Sequence, residues 1–321
     1  MKILLTGGAG FIGSNLAERL VNEERVSQVV VLDNLATGSE ENIAHLKGHP
    51  RFTFIQADIR DYDACLEAMQ GIDLVSHQAA LGSVPRSIAD PITTNAVNIT
   101  GTLNIFNAAR ENKVKRVVYA ASSSTYGDHP GLPKVEDQIG KPLSPYGVTK
   151  LVNELYANVF AGLYDMELIG LRYFNVYGPK QNPFGPYAAV IPLFIHSFLE
   201  DKSPKINGSG EHSRDFTFVE DVVQANLLAL FTDSRAAVNQ VYNIARGDRT
   251  SLNELVGLLQ KITGKNIQAD HGPDRRGDVL HSHADISKAR TLLGYAPATS
   301  IREGLEKAFR WYGSNMQIFT P

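Results

Sequence analysis

The stretch Lys2–Leu16, "KILLTGGAGFIGSNL", joins a short apolar run, three regularly spaced glycines and the start of a helical pattern. Gly7, Gly10 and Gly13 stand directly after a predicted strand and directly before a predicted helix. Glycines in this context allow a tight turn and a close approach to a pyrophosphate, which then lies at the positive end of the helix. The spacing is GxxGxxG instead of the more familiar GxGxxG. The pattern predicts a dinucleotide-binding strand–turn–helix, and the alternative is a glycine-rich turn without a ligand.

Outward from this stretch, short β-rich runs alternate with longer helical patterns through the first half of the chain. Almost continuous apolar character is typical of strands buried on both faces of a parallel sheet. Runs of this kind occupy residues 2–6, 28–32, 52–56, 73–78, 116–120 and 167–172. The helical patterns between them include residues 11–23, 95–111 and 146–164. The alternation predicts an α/β fold built on a Rossmann-type, doubly wound parallel sheet.

The pattern changes after about residue 175, where Pro/Gly-rich pieces replace the regular alternation. Helical patterns near 219–231, 251–263 and 302–312 follow, with one more β-rich run, "VYNIA", at 241–245. We expect residues 1–175, together with roughly 216–245, to form the dinucleotide-binding Rossmann domain. Roughly 176–215 and 246–321 are expected to form a smaller, discontinuous α/β lobe that binds the substrate.

The second and third predicted strands are each followed by an aspartate. Asp33 comes twenty residues after Gly13, and Asp58 follows the run at 52–56. An acidic side chain at the end of the second strand accepts hydrogen bonds from the adenosine ribose hydroxyls and repels a 2′-phosphate. We therefore expect the cofactor NAD instead of NADP, with Asp58 in the adenine pocket.

The composition excludes several functional classes. The chain has 321 residues, of which 43% are hydrophobic and 20% charged, and a formal net charge of −3. This balance provides no electrostatic attraction for nucleic acid or an anionic membrane. The single cysteine, Cys65, excludes an internal disulfide and a cysteine-based zinc site, and we expect no metal. Because the sequence contains neither a signal-peptide pattern nor an apolar run of membrane-spanning length, we expect a cytoplasmic protein.

A tyrosine and a lysine stand four residues apart in "SPYGVTK", residues 144–150. Ser144 is a good N-cap and Pro145 is favoured in a first helical turn, so the stretch predicts the start of a helix. Tyr146 and Lys150 then lie on one face of that helix. Considered alone, the pair is either an ordinary surface pair or part of an active site.

Several motifs in order along the chain decide between these two interpretations. They are Gly7-x-x-Gly10-x-x-Gly13, "HQAA" (77–80), "NITGT" (98–102), "SSSTYG" (122–127), Tyr146-x-x-x-Lys150 and "RYFNVYGP" (172–179). Together they resemble the extended short-chain dehydrogenase/reductase superfamily, within it the NAD-dependent epimerase/dehydratase family of nucleotide-sugar enzymes. The resemblance covers essentially the whole chain and is closest to the UDP-N-acetylglucosamine and UDP-glucose 4-epimerases.

The resemblance implies that Tyr146, Lys150 and Ser122 are catalytic. A free tyrosine has a pKa of about 10 and is a poor base at neutral pH. We expect the Lys150 ammonium and the positive nicotinamide ring to lower the pKa of Tyr146. Ser122 is expected to hydrogen-bond the same sugar oxygen that Tyr146 deprotonates. Ser123 and Ser124 remain open as substrate contacts.

The remaining site residues also follow from the resemblance. Cofactor contacts are expected from Gly7, Gly10, Phe11, Ile12, Gly13, Asp33, Asn34, Gly38, Asp58, Ile59, Gln78, Ala79, Ala80, Asn98, Tyr146, Lys150, Tyr173 and Val176. Substrate contacts are expected from Ser83, Ser122, Ser123, Tyr146, Asn175, Ala189, Val190, Arg214, Phe216, Arg275, Asp278 and Ser282. Among these, Arg214 and Arg275 are expected at the diphosphate, because a guanidinium fork suits phosphate oxygens. Phe216 and Asp278 are expected near the uridine.

The residues after Ser122 separate the activities within the family. Dehydratases need carboxyl groups that act as acid and base at neighbouring carbons, and the family's 4,6-dehydratases carry an Asp-Glu pair there. This chain has Ser123 and Ser124, which predicts a 4-epimerase. A small residue at Ser282 leaves room for an acetamido group, where UDP-galactose 4-epimerases have a tyrosine. The expected substrates are UDP-GlcNAc and UDP-GalNAc, and the sequence does not rank them against UDP-Glc and UDP-Gal.

Two alternatives stay open beside the epimerase. One is another nucleotide-sugar enzyme, namely a dehydratase, a decarboxylase or a net oxidoreductase. The other is a non-catalytic, NAD-sensing regulator on the same fold, which the Tyr146–Lys150 pair disfavours. The resemblance further implies a homodimer through helices 95–111 and 146–164. It also implies that His77 is a structural residue beside the cofactor and not a base.

Overall fold

A parallel sheet of seven strands forms the centre of the molecule. The computed structural model describes residues 1–184, 187–273 and 281–319. The strands of the sheet are β1 (Lys2–Thr6), β2 (Gln28–Asp33), β3 (Phe52–Gln56), β4 (Leu74–His77), β5 (Arg116–Ser122), β6 (Glu167–Tyr173) and β11 (Gln240–Ile244). They lie in the order β11-β6-β5-β4-β1-β2-β3, and every neighbouring pair is parallel. The predicted doubly wound fold is confirmed, and its order reverses between β1 and β4, where ligands bind in such sheets.

Helices cover both faces of this sheet. One face packs against α1 (Phe11–Val21), α8 (Val219–Phe231) and α10 (Ser287–Leu293). The other face packs against α2 (Tyr62–Ala68), α5 (Thr102–Glu111) and α6 (Pro145–Tyr164). Because both faces are buried, the inner strands consist mostly of buried residues, whereas the edge strand β3 is only half buried.

The predicted helix over 95–111 is interrupted in the structure. It is divided into the end of α4 (Pro91–Asn95), a π-helical turn at Ala96–Gly101 and α5. A short helix, α3 (Val84–Ala89), precedes α4, and both contact α6. The π-helical turn contains Asn98, and such turns are frequent at functional sites.

The second half of the chain adds three two-stranded pairs. They are β7 (Val176–Tyr177) with β10 (Thr217–Phe218), β8 (Lys205–Asn207) with β13 (Asp270–Gly272), and β9 (Ser213–Arg214) with β12 (Thr250–Ser251). A separate hydrophobic cluster joins the first two of these pairs to α7 (Val190–Leu199), α9 (Leu252–Thr263) and α11 (Ile301–Asn315). Short 3₁₀ turns at Glu40–Leu46, Ser123–Tyr126 and Met316–Phe319 complete the described elements.

The division into two lobes remains a prediction. One part of this prediction differs from the packing. The sequence predicts residues 246–321 in the substrate-binding lobe, but the structure places Ala284, Ile286, Ala289 and Leu293 in the hydrophobic cluster on the central sheet. Through the described part of the chain, no helix is both long and apolar enough to cross a membrane.

Candidate active site

A cavity of about 940 Å³ opens along the carboxyl ends of the parallel strands. It brings together most of the residues that the sequence predicts as contacts. Those that line it are Gly7, Gly10, Phe11, Ile12, Gly13, Asp33, Asn34, Gly38, Ile59, Gln78, Ala79, Ala80, Ser83, Ser122, Ser123, Tyr146, Lys150, Tyr173, Asn175, Val176 and Ala189. The cavity therefore extends from the glycine-rich turn to the Tyr146–Lys150 helix.

The turn between β1 and α1 is built for close approach of a ligand. Gly7 has φ of +70°, and a Cβ there would lie 2.6 Å from the backbone nitrogen of Ala79. A Cβ on Gly13 would overlap the carbonyl oxygen of Gly7, so both positions require glycine. Helix α1 begins without a side-chain cap and without an acidic residue in its first turn. Its free N–H groups and positive end therefore suit the pyrophosphate of a dinucleotide.

Two aspartates lie at the far end of the cavity. Asp33 is held by the backbone N–H groups of Ala9, at 2.9 Å, and Leu35, at 2.8 Å. Asp58 lies behind the cavity wall, where it accepts hydrogen bonds from Asn34 and Arg60. The hydrogen bond from the Arg60 side chain is the largest cause that lowers the pKa of Asp58 to about 2. The Asp33 carboxylate is suited to accept hydrogen bonds from a ribose diol, whereas the Arg60 guanidinium is already paired with Asp58.

The start of α6 places the predicted catalytic pair. The Ser144 hydroxyl caps the helix by accepting the Gly147 N–H at 3.1 Å, as the sequence predicts. The Tyr146 N–H donates to the Ser87 hydroxyl at 3.0 Å, which fixes α3 against the helix start. Lys150 is buried; its Nζ donates to the Ala120 carbonyl oxygen at 2.8 Å and lies 5.9 Å from the centre of the Tyr146 ring.

The electrostatics of the pair differ from the expectation. Burial raises the pKa of Tyr146, and the hydrogen bond with Ser122 opposes this effect only in part. Burial also lowers the pKa of Lys150 to about 8, against the opposing charge of Glu154. The expected lowering of the Tyr146 pKa is therefore not provided by the polypeptide, because desolvation of the phenolate is the largest effect and the only opposing one is the hydrogen bond with Ser122. The positive charge of an oxidised nicotinamide ring would stabilise the phenolate and so lower the pKa of Tyr146.

Ser122 is the serine that hydrogen-bonds Tyr146. It ends β5 and caps the following turn by accepting the Ser124 N–H at 3.1 Å. Ser123 and Ser124 also line the cavity, so the positions that carry carboxyl groups in dehydratases carry hydroxyl groups here.

A polar network that the sequence did not predict supports this wall. Tyr173 donates to Gln78 Oε1 at 3.0 Å and accepts from Asn226 Nδ2 at 2.9 Å. Asn226 comes from α8, far away in sequence. The only signal for it in the sequence is a polar amide within a largely apolar helical stretch. Asn98 does not line the cavity, because its amide is bonded to the backbone of Leu81 and to Thr149.

His77 lies behind the same wall and is fully buried. Its two ring nitrogens contact the hydroxyls of Thr6, at 2.7 Å, and Thr102, at 2.9 Å. Burial, assisted by the charge of Lys150, lowers the pKa of His77 to about 3. A histidine that stays neutral and bonded on both sides fits the structural role proposed for it. Across the described ranges, no group of three or more His, Cys, Asp or Glu residues is arranged to hold a metal ion.

The predicted substrate contacts are only partly at the cavity. Val190, Arg214, Phe216 and Ser282 are not on its wall. Phe216 packs edge-on against Tyr177, at 6.3 Å between ring centres, and the Ser282 N–H donates to the Ser213 carbonyl at 3.0 Å. Arg275 and Asp278 lie outside the described residues.

Asp215 organises the segment between Arg214 and Phe216. It is fully buried and accepts the backbone N–H groups of Arg246, Gly247 and Ala284 at 3.0–3.2 Å. Burial raises its pKa to about 6. Asn175, at the cavity, has φ of +35° and donates to the Asp215 carbonyl at 3.1 Å. This strained residue connects the segment to the cavity wall.

Further residues of the wall were missed by sequence reasoning. Among them are Arg86, Gln181, Asn182, Phe184 and Tyr187. Arg86 was visible as the only basic residue in "LGSVPRSIADPITTN" (81–95), whereas the others carry no pattern of their own.

Comparison with known proteins agrees with this geometry. The model of the NAD dependent epimerase/dehydratase family matches residues 3–245. A putative UDP-glucose 4-epimerase of Methanocaldococcus jannaschii is 39% identical over 98% of this chain and 99% of its own length.

Three solved structures have the same fold over nearly all of both chains. A UDP-N-acetylglucosamine 4-epimerase from Methanobrevibacter ruminantium M1, in complex with UDP-N-acetylmuramic acid, is 37% identical, with a TM-score of 0.93 and coverage of 98% and 99%. A UDP-glucuronic acid 4-epimerase from Bacillus cereus, in complex with UDP-glucuronic acid and NAD, is 35% identical, with a TM-score of 0.90 and the same coverage. A dTDP-glucose 4,6-dehydratase from Streptomyces venezuelae with NAD bound is 30% identical, with a TM-score of 0.91 and coverage of 100% and 99%. The chain belongs to the NAD dependent epimerase/dehydratase family, and its cofactor is NAD.

Proposed function

We propose that the protein is a UDP-sugar 4-epimerase that interconverts UDP-GlcNAc and UDP-GalNAc and also acts on UDP-Glc and UDP-Gal. The observation that carries the proposal is the pair of hydroxyl residues Ser123 and Ser124 beside Tyr146 and Ser122 on the cavity wall. Removal of water from a sugar needs an acid at a neighbouring carbon. Serine hydroxyl groups are much weaker acids than carboxyl groups and do not supply one, whereas 4-epimerisation needs no acid at a neighbouring carbon.

In the proposed reaction, Tyr146 takes the proton from the 4-hydroxyl of the sugar. Ser122 hydrogen-bonds the same oxygen, and Lys150 stabilises the charge that develops on the phenol. NAD, held by the glycine-rich turn and Asp33, would supply the hydride acceptor for C4 and the hydride source for the opposite face of the 4-keto sugar. Tyr146 would then return the proton to the same oxygen, and because the hydride is also returned to C4, the reaction has no net oxidation.

The relatives support the reaction more than the substrate. Two of the similar structures are named as 4-epimerases, one for UDP-N-acetylglucosamine and one for UDP-glucuronic acid. A dehydratase is almost as similar in fold, so fold similarity does not decide between the activities. The preference for N-acetylated sugars rests on the sequence alone, which has the small residue Ser282, and Ser282 does not line the cavity. The alternative is another NAD-dependent enzyme of nucleotide sugars.

We also propose a homodimer in the cytoplasm. The outer face of α6 exposes Leu155, Val159 and Leu163, and neighbouring α3 and α4 expose Ile88 and Ile92. Single exposed apolar residues are ordinary, but an adjoining set on packed helices is typical of an interface. Its continuity with the helices that the sequence assigns to the dimer supports a second copy as the occupant.

The proposal is tested by incubating the NAD-loaded protein separately with UDP-GlcNAc, UDP-GalNAc, UDP-Glc and UDP-Gal. The anomeric proton signals in NMR spectra should show each sugar converting to its 4-epimer without net NADH. Accumulation of a stable keto sugar or of stoichiometric NADH would instead support the dehydratase or the net oxidoreductase. Absence of any conversion, with NAD bound, would contradict the proposal as a whole.

A further inference from the structure

Residues 178–182, which follow β7, form part of the cavity wall and are called the strap below. Gln181 and Asn182 of the strap line the cavity, as do Gly10 and Phe11 at the start of α1. The start of α1 is the part of the cavity that suits the pyrophosphate of NAD. The strap and the cofactor-binding turn are therefore two parts of one wall, although they are far apart in sequence.

Two side chains of α1 hold the strap without lining the cavity themselves. Asn15 Nδ2 donates to the carbonyl oxygen of Phe11 at 2.9 Å and to that of Pro179 at 3.1 Å. One helical turn after Asn15, the Glu18 carboxylate accepts a hydrogen bond from Lys180 Nζ at 2.8 Å, and the Lys180 side chain is only 10% exposed. A single amide thus keeps the strap within hydrogen-bond reach of the helix turn that faces the pyrophosphate.

The backbone conformation of the strap depends on such contacts. Lys180 has φ of +70°, a left-handed conformation that costs free energy in a residue with a Cβ. Gly178 has φ of +147°, and a Cβ there would lie 2.7 Å from the Val219 side chain. The Tyr312 hydroxyl of α11 contacts the carbonyl oxygens of Gly178, at 3.3 Å, and of Gln181. Contacts from α1 and α11 therefore hold a segment that has no preference for this shape on its own.

We infer that Asn15 and Glu18 are positioning residues for the cofactor, which hold the strap beside the first turn of α1 and thereby slow the release of NAD. A ligand enclosed by a segment leaves when that segment opens, so contacts that exist only in the closed state slow dissociation. The inference concerns the cofactor alone and does not depend on which sugar is the substrate.

The experiment measures how fast NAD leaves the protein. The protein is loaded with isotope-labelled NAD, an excess of unlabelled NAD is added, and the label that stays with the protein is followed over time. Dissociation should be about 2- to 10-fold faster in Asn15→Ala and in Glu18→Ala, the range for loss of one hydrogen bond or one partly exposed ion pair. Lys180→Met should match Glu18→Ala, and the double variant should be little faster than either, because both substitutions remove the same contact.

The matched control is Arg19→Ala. Arg19 is also on α1 and pairs with Glu23 at 3.3 Å, and its side chain is 48% exposed, against 51% for Glu18. Because this pair does not involve the strap, Arg19→Ala should leave the dissociation rate unchanged.

Three results would overturn the inference. They are unchanged release in Asn15→Ala and Glu18→Ala, effects of Glu18→Ala and Lys180→Met that simply add, and an equal acceleration by Arg19→Ala, which would assign the effect to the general stability of α1. Because release is measured without turnover, a protein that retains NAD through the strap but epimerises nothing would contradict the proposed function alone.

Discussion

Tyr146 is the residue on which the proposed chemistry depends. Its replacement by Phe removes the acid–base hydroxyl and leaves the ring and the helix start in place. General acid–base catalysis contributes about 10²- to 10⁴-fold, so kcat should fall by about that factor while bound NAD is retained. The measurement is turnover by NMR, with NAD content determined after denaturation. The control is Tyr164→Phe, because Tyr164 is on the same helix but exposed; this variant should keep full activity. If Tyr146→Phe also kept full activity, Tyr146 would be excluded as the base.

His77 makes stability depend on pH through its burial. Its pKa of about 3 in the folded chain lies below the usual 6.5, so below pH 6.5 the unfolded chain binds a proton that the folded chain does not. The free energy of unfolding therefore decreases as pH falls, by about 2 kcal/mol from this group at pH 5. His77→Asn lowers stability at pH 7 because packing and one hydrogen bond to a threonine are lost, but it removes this titration.

Urea unfolding at pH 7 and pH 5 tests that difference. The gap in unfolding free energy between wild type and His77→Asn should narrow by about 2 kcal/mol at pH 5. A gap that is the same at both pH values would mean that His77 is not held neutral by the fold.

Single residues were predictable where their chemistry needs a fixed spacing. Tyr146, Lys150 and Ser122 stand at set distances from a helix start and a strand end, so the sequence placed them. The raised pKa of Tyr146 was not predictable, because it depends on desolvation by residues that are distant in sequence. Arg86 and Asn226 were missed for a related reason, since their roles arise only when α3 and α8 pack against the cavity.

At the scale of elements, α6 is joined to the sheet by a buried ion pair. Glu154 lies one turn after Lys150 and binds Arg172 of β6 through two hydrogen bonds, at 2.9 and 2.7 Å. Arg172 also donates to the Glu136 carbonyl oxygen at 2.8 Å. The pair therefore joins the catalytic helix, the strand that leads to Tyr173 and the loop after Gly127.

Glu154→Gln should destabilise the protein because it leaves Arg172 as an uncompensated buried charge. The expected loss is about 3–5 kcal/mol of unfolding free energy, measured by urea denaturation. Glu306→Gln breaks an exposed pair with Arg302 at 3.0 Å, and as the matched control it should change stability by about 1 kcal/mol or less. Equal effects of the two substitutions would show that the buried pair contributes nothing beyond a surface pair.

Elements were predictable where one periodicity continues for long enough. The interiors of strands β1 and β6 are apolar, and their expected bounds differ from the observed ones by at most one residue. The π-helical turn at Ala96–Gly101 was not foreseen, because the apolar pattern continues through it. The short α3 and α4 were also missed, since six and five residues are too few for a periodic signal.

At the scale of the whole molecule, the sequence predicted the sheet but not the way in which the second half returns to it. Residues 284–293 have no motif that assigns them to a lobe. They pack on the hydrophobic cluster of the central sheet because the apolar side chains of α10 contact α8 and β11. The cavity is likewise a property of the assembled chain, since its walls come from residues between Gly7 and Ala189.

The exposed face of α6 leads to the prediction for the whole molecule. Leu155 is 58% exposed and Leu163 is 71% exposed, two turns apart on one face of α6. If a second copy covers them, light scattering should give a mass near twice the 35.1 kDa of the chain. Leu155→Asp with Leu163→Asp would place two charges in that apolar contact and should convert the protein to a monomer, because unpaired buried charges are costly.

The control for this prediction is a leucine that is similarly exposed on a different helix. Leu193 of α7 is 41% exposed, and α7 packs against α9 and α11, so Leu193→Asp should leave the mass unchanged. A wild type that is monomeric at tens of micromolar, or a double variant that stays dimeric, would contradict an interface on α6. Since the same helix carries Tyr146 and Lys150, a monomeric variant should also show lower thermal stability of the NAD-loaded protein, because loss of the partner removes packing from the catalytic helix.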